Sequence, residues 1–381
     1  MTLISKIRKV QQALSPYKPL VWVEVSKSAI IHNYKVFKNL AEPAGLAPVI
    51  KSNAYGHGLT NIAALLEPEL PSFFAIDSLR EALLLRGAGI KTKVLVMGFV
   101  NIENINNYKL KDVSIAITGL DQLREIASLL KHTQTFQIKL DTGLHRQGLL
   151  RNELPTAFKI IDMNPKIQIE GAFSHLADAD SEDSVHAKKQ IEEWNSGLAE
   201  LEAHFGKLTY THLAATAGSH YSGINANTLR LGIGLYGIDD PAEGSTLGLK
   251  PALELKTFIT SLRDLQPGEF VGYNITFKAE RLTKVATLPL GYNEGVDRRA
   301  SNNGFVKIRD YLCPIIGRVS MNMISVDVTD VPEVAIEEIA TVISGKSKDP
   351  NSVVNTASLL GTIQREVLVR IPAHLRRTMV K

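Results

Sequence analysis

Residues 47–58 read APVIKSNAYGHG, a short apolar run that stops at Lys51, with Tyr55 four residues on and a glycine-rich exit. APVIK is the first of eight runs of this kind: FFAID, KVLVMG, VSIAIT, FQIKL, IEGAFSH, YTHLAAT and LRLGIGLYG follow it. Between them lie segments such as SLREALLLRGAG and DQLREIASLLKH, apolar on one face and charged on the other, the pattern of surface helices. Parallel strands buried on both faces read as continuous apolar runs, and eight strand-then-helix units favour closure over an open doubly wound sheet. The expected fold is therefore α/β, a (β/α)8 barrel of the TIM type.

The texture changes after Asp240. LELKTFIT, GEFVGYNITF, RLTKVATLPLGY, GFVKIRDYLCPIIGRV and MNMISVDVTDV are strand-like and broken by Gly, Pro and Asn, with helical spacing returning only at ASLLGTIQ. This is a mostly β C-terminal domain. Upstream, Leu3, Ile4, Ile7, Val10 and Leu14 recur at helical spacing before SPYKP. The expected organisation is an N-terminal helical extension over 1–20, a barrel over 21–241 that begins with VWVEV, and the β domain over 242–381, with the boundary near PAEGSTLG.

Length and composition fit this division. At 381 residues the chain is long for one domain, and 44% hydrophobic and 22% charged residues are globular values. A net charge of +4 with dispersed basic residues disfavours nucleic acid. No apolar run reaches the roughly 18 residues of a spanning helix, and the opening MTLISKIRKVQQ lacks the apolar stretch of a signal peptide. The single cysteine, Cys313, fits a reducing compartment. A cytoplasmic protein without membrane contact is expected.

Barrel enzymes keep their chemistry at the carboxyl ends of the strands. Lys51 ends the first run there, Lys139, Asp141 and Arg146 follow the fifth, His175 ends the sixth, Thr216 the seventh, and Arg230 lies in the eighth. A lysine after a strand is ordinarily solvated. One partly desolvated at a barrel mouth has a lowered pKa, and its neutral amine can condense with an aldehyde such as pyridoxal phosphate. That cofactor needs phosphate donors. The stretch TLRLGIGLYG, residues 228–237, places glycines where backbone N–H groups approach an anion closely, and Thr216 and Tyr55 add hydroxyls. GIGLYG could equally make a tight turn out of the barrel. No GxxxxGK[ST] is present, which disfavours a nucleoside triphosphate site.

Taken together, VIKSNAYGHG, KLDTGLHRQGL, FSHLADAD, LRLGIGLYG, LPLGYNEG and GRVSMNM resemble, in order, the motif set of bacterial alanine racemases, fold-type III pyridoxal-phosphate enzymes. The resemblance implies that Lys51 holds the cofactor as an internal aldimine and is the base on one face of the substrate. It makes Tyr292 the acid or base on the other face, contributed by the second subunit of a homodimer. It assigns Tyr55, Thr216, Gly232 and Ile233 to the cofactor phosphate, Arg230 to the pyridine nitrogen with His175 in support, and Arg146 and Met321 to the substrate carboxylate. It makes Lys139 a candidate for carbamylation, against an ordinary salt bridge to Asp141 or another acid. The reaction implied is the interconversion of L- and D-alanine, supplying D-alanine for peptidoglycan.

The chemistry agrees with these roles. Racemisation removes a Cα proton from one face and returns one to the other, so two groups on opposite sides are required. An arginine facing the pyridine nitrogen is a donor only and leaves that nitrogen unprotonated. The electron sink is then weaker, which suits a racemase. Three positions depart from the family pattern. Asn322 stands where aspartate is common, His145 where glycine is frequent, and Ala373 where a tyrosine narrows the site. These leave a broader amino-acid racemase, acting on serine or lysine, as the runner-up. A fold-type III decarboxylase fits less well because it would carry a HVGS-like strand end where this chain has FSHLADAD. A non-catalytic cofactor carrier would lack Tyr292 and the β domain. A metal-dependent hydrolase using His175, Asp178 and Asp180 is disfavoured because no His-x-His strand end appears, so no metal is expected.

Overall fold

The computed structural model describes residues 17–181, 183–238 and 247–381. The expected helix around residues 3–14 and most of the expected boundary stretch lie outside the described residues. Two compact units emerge: Ser26–Ala252 with Met379–Lys381, and the described part of 1–25 with Leu253–Thr378.

The first unit is the expected barrel. Its strands are β1 (Gly45–Pro48), β2 (Phe74–Ile76), β3 (Val94–Val96), β4 (Val113–Ile117), β5 (Gln134–Lys139), β6 (Ile167–Phe173), β7 (Tyr210–His212) and β8 (Thr228–Leu231). β2 to β7 form one parallel sheet in sequence order, and β1 pairs in parallel with β8. Two seams close the ring. At one, Val49 bridges Ala75 and Ser72 N donates to Leu46 O at 2.9 Å; at the other, Asn227 N donates to Thr211 O at 3.1 Å and Arg230 N to Ala214 O at 3.3 Å. Val94, Leu95 and Val96 are all fully buried, as a strand covered on both faces must be.

Helices follow the strands. Leu79–Gly87 starts with a capping box in which Ser78 Oγ accepts from Glu81 N while Glu81 receives Ser78 N. Val185–Phe205 is capped by Ser184, whose side chain accepts from Ala187 N. Among the described residues no helix is long and apolar enough to cross a membrane.

The second unit is built on a nine-stranded sheet, with the helices Val353–Leu360 and Gln364–Val369 near its end. Here the structure corrects the expected boundaries. Val21–Ser26, read as the start of the barrel domain, pairs antiparallel with Leu253–Phe258 in this sheet, from Val21↔Thr257 to Val25↔Leu253. Its burial alternates residue by residue, as in a strand with one wet face. At the other end, residues 248–252 stay with the barrel rather than opening the β domain. Asn33, buried on the helix Lys27–Ala41, exchanges two 2.8 Å hydrogen bonds with the backbone of Lys250.

Candidate functional site

Lys51 does not end its strand. β1 stops at Pro48, and Lys51 opens a turn in which Ser52, Asn53, Ala54 and Tyr55 all have φ between 50° and 56°. Left-handed backbone costs an L-residue roughly 1–2 kcal/mol each, so a run of four persists only where its surroundings hold it. Several contacts do so. Ser52 N donates to Glu81 Oε1 at 2.6 Å, Leu59 N to Asn53 Oδ1 at 3.0 Å, Ala54 N to Ile50 O at 2.8 Å, and Gly58 N to Asn53 O at 2.9 Å.

The turn delivers Lys51 to a cavity of about 460 Å³ at the carboxyl ends of the barrel strands, lined also by Tyr55, Asp77, Lys139, Arg146, His175, Arg230 and Gly232. Lys51 Nζ lies 3.8 Å from Asp77 Oδ1. Asp77 is the one acid among the lining residues, against four cations. Such a site is made for an anion-bearing ligand.

Arg230 is the most constrained of the cations. Buried in β8, it donates from Nη1 to His212 Nδ1 (2.6 Å) and His212 O (3.0 Å), and from Nη2 to Ser174 O (2.8 Å), Leu213 O (2.8 Å) and His175 Nδ1 (3.1 Å). Five acceptors occupy the two terminal nitrogens, which leaves Nε–H for a ligand in the cavity. Both histidines accept through Nδ1 and must be neutral. Burial, then the charge of Arg230, pushes His175 down to about 3 and holds His212 well below its ordinary value. Burial alone lowers Arg230 itself to about 10. His212 Nε2–H in turn donates to Gln137 Oε1 at 2.8 Å, and Gln137 Nε2 reaches Glu170, which Lys93 and Ser114 also contact. A polar chain thus runs from the mouth into the barrel.

Lys139 ends β5 beside Phe173 of β6, which pairs with His212 of β7. Its Nζ donates to Gln147 Oε1 at 3.4 Å, so the expected alternative of a salt bridge to Asp141 is not formed. Asp141 Oδ1 is used in the loop, accepting from Gly143 N and His145 N at 3.0 Å each. Burial, then the charges of Arg146 and Arg230, lowers Lys139 to about 8. At His145, where glycine is frequent in the family pattern, φ is +53°, a conformation that favours glycine and that the histidine adopts nonetheless. Arg146, next along, faces the cavity with no carboxylate partner among the described residues.

At the end of β8, Thr216 Oγ1 accepts from Gly232 N (3.0 Å) and Gly234 N (3.3 Å). The hydroxyl hydrogen of Thr216 is left for another acceptor. Ile233 opens the 3-10 turn that follows, and a Cβ on Gly232 would stand 3.4 Å from Tyr55 Oη. The four residues expected at a phosphate are therefore neighbours.

In the β unit, Tyr292 and Met321 are brought together. Tyr292 N donates to Ser320 O and Asn293 N to Met321 O, at 3.0 and 2.9 Å. Gly291 permits this approach, since a Cβ there would lie 2.0 Å from Ser320 O. Asn322, in place of the common aspartate, donates to Glu294 Oε1 at 2.7 Å, and Glu294 Oε2 receives Gly291 N at 2.7 Å. A second carboxylate at 322 would repel Glu294. Tyr292 and Met321 are 45% and 57% exposed in the single chain, so neither is consumed by its own fold. Ala373 is exposed, in the turn that follows Pro372.

Two family models match the chain: alanine racemase, N-terminal domain, over residues 25–240, and alanine racemase, C-terminal domain, over 252–379. The chain belongs to the alanine racemase family. Among its relatives is the alanine racemase of Carboxydothermus hydrogenoformans, 33% identical over 94% of this chain and 99% of that one. Alanine racemase 2 of Oceanobacillus iheyensis is 30% identical, over 94% and 93%. The crystal structure of the Bacillus anthracis enzyme with bound L-Ala-P superposes with a TM-score of 0.88 at 27% identity, covering 96% of each chain. The biosynthetic enzyme of Pseudomonas aeruginosa gives 0.83 at 29%, covering 96% of this chain and all of the other.

The activity is accordingly a pyridoxal-phosphate-dependent racemisation of alanine. The residues present fit that cofactor: a cavity lysine for its aldehyde, the Nε–H of Arg230 for a ring nitrogen, and the Thr216, Tyr55, Gly232 and Ile233 cluster for its phosphate.

Proposed function

We propose that Lys51 and Tyr292 are the two bases of the racemisation, acting on opposite faces of the substrate Cα in a site completed by a second copy of the chain. The observation that carries this reading is the convergence of Lys51, Arg146, Arg230 and the Thr216–Gly232 cluster on one barrel-mouth cavity. Pyridoxal phosphate, when bound, supplies the electron sink that acidifies the Cα–H. Lys51 carries the cofactor and takes or returns the proton on its own face. Arg230, fixed by five acceptors, offers its Nε–H to an unprotonated ring nitrogen, and neutral His175 keeps it in place. Thr216, Tyr55, Gly232 and Ile233 hold the phosphate, with the Gly232 amide fixing the Thr216 hydroxyl that faces it. Arg146, without a carboxylate partner among the described residues, receives the substrate carboxylate together with the Met321 amide.

Tyr292 is the phenol of the opposite face. Beside it the β unit exposes Met321 and Met323, and elsewhere Tyr273 and Ile275, apolar side chains of the kind that mark an interface, which supports a homodimer in which each Tyr292 serves the partner's cavity. Lys139 is the carbamylation candidate: a buried amine lowered to about 8 is partly neutral near pH 7 to 8, the form that adds CO2. The anion so formed would steady Arg146, where the cation repels it. The physiological role we assign is D-alanine supply for peptidoglycan, in the cytoplasm, in keeping with one unpaired buried thiol, Cys313. Substrates larger than alanine remain the second reading, favoured by Ala373.

The test is incubation of the holoenzyme with L-alanine, L-serine and L-lysine in D2O, followed by chiral separation with mass detection. D-alanine carrying deuterium at Cα, with little product from the other two, is expected. Preferential turnover of serine or lysine would overturn the alanine assignment, and absence of deuterium would overturn the two-base path.

A further inference from the structure

Glu81 lies outside the cavity, yet its carboxylate ties together the two loops that carry Lys51 and Asp77. Oε2 receives Asp77 N at 2.8 Å and Ser78 N at 3.2 Å, while Oε1 receives Ser52 N at 2.6 Å. A glutamate at the third position of a helix ordinarily completes a capping box with one oxygen and leaves the other to solvent. Here the second oxygen crosses to the exit of the neighbouring barrel strand and takes the amide immediately after Lys51. That amide belongs to the first of four consecutive left-handed residues, a conformation that its surroundings must impose. The same carboxylate fixes the backbone of Asp77, whose side chain is 3.8 Å from Lys51 Nζ.

We propose that Glu81 is a positioning residue for the reaction: by clamping Ser52 N it holds the left-handed turn and aims the Lys51 amine into the cavity, with Asp77 set opposite. The proposal rests on Lys51 being the cofactor lysine and deepens that reading by naming what places it. Glu81→Ala releases the turn from β2 while Asn53 still caps Leu59, so Lys51 samples other directions. Misplacing a reacting group by an ångström costs on the order of 10²-fold in rate.

Ser78→Ala supplies the control. It removes the Oγ that accepts from Glu81 N, weakening the helix start, but keeps the clamp on Ser52. The experiment compares wild type, Glu81→Ala, Glu81→Gln and Ser78→Ala as holoenzymes. It measures thermal midpoint, kcat and KM for alanine, and the fraction of Lys51 covalently labelled after borohydride reduction at limiting cofactor, read by peptide mass. Glu81→Ala is expected to lower kcat by about 10- to 100-fold and to reduce Lys51 labelling, with Glu81→Gln intermediate because one acceptor oxygen remains. Ser78→Ala is expected to lower the midpoint while kcat and labelling stay at wild-type values. Equal labelling and kcat in Glu81→Ala and Ser78→Ala would overturn the clamp and leave the role of Lys51 intact. No labelling of Lys51 in the wild type would overturn that role, and the clamp with it.

Discussion

Replacing Lys139 by methionine should stabilise the protein near neutral pH, because the lysine is a buried cation between two arginines. It is 6% exposed, and burial together with Arg146 and Arg230 lowers it from 10.5 to about 8. A cation whose pKa is lower in the fold than in the unfolded chain weighs against folding wherever it is charged. The burden is full below pH 8 and lifts as pH rises from 8 towards 10.5, since the unfolded chain then holds the proton that the native state has released. The gap corresponds to about 3 kcal/mol at one pKa unit per 1.36 kcal/mol. Urea unfolding of wild type and Lys139→Met in CO2-free buffer, at pH 7.5 and pH 10, isolates this contribution because other titrations are shared. The wild type should gain about 2 kcal/mol more than the variant over that interval, since part of the gap lies outside it. Bicarbonate at pH 7.5 should raise wild-type stability and leave the variant unchanged, through carbamylation of the neutral amine. The same pH response in both proteins without CO2 would refute the buried-cation reasoning.

Other substitutions probe the supporting contacts. His212→Leu removes the 2.6 Å acceptor of Arg230; a hydrogen bond to a charged group contributes about 1.5–3 kcal/mol, so cofactor affinity in equilibrium titration should weaken by roughly 10- to 100-fold. Asn322→Asp sets a carboxylate against Glu294. The pair raises one carboxyl pKa and the native state binds the extra proton, so the variant should lose stability relative to wild type as pH rises above about 5, in thermal melts at pH 4.5 and 7.5. Gly291→Ala drives a Cβ into Ser320 O and should lower both the thermal midpoint and kcat, by at least about 1–3 kcal/mol in stability, because Tyr292 is carried on the next residue.

Much of the barrel could be read from residue types alone, since strands buried on both faces leave unbroken apolar runs. The same rule explains the misplaced boundary. VWVEV alternates with period two, the mark of a half-exposed antiparallel strand, and its partner Leu253–Phe258 lies more than two hundred residues away. Lys51 was visible at the end of APVIK, but nothing in SNAY announces four left-handed residues, because Ser, Ala and Tyr do not favour that conformation. Arg230 was visible through its motif. His212, Gln137 and Glu170 were not, as each sits in an ordinary strand run and becomes a partner only when the barrel brings β5, β6 and β7 side by side. Glu81 carried a signal, the Ser78-x-x-Glu81 capping box, yet that pattern explains one of its oxygens and not the other.

The shared two-base site is the central claim, and subunit complementation tests it most directly. Lys51→Ala and Tyr292→Phe are each expected to be inactive. Co-refolded in equal amounts, half the dimers are mixed, and each mixed dimer holds one site with an intact Lys51 and an intact Tyr292 from the other subunit. The account predicts recovery of about a quarter of wild-type activity with alanine. A mixture as inactive as its components, with mixed dimers shown by mass to be present, would contradict it.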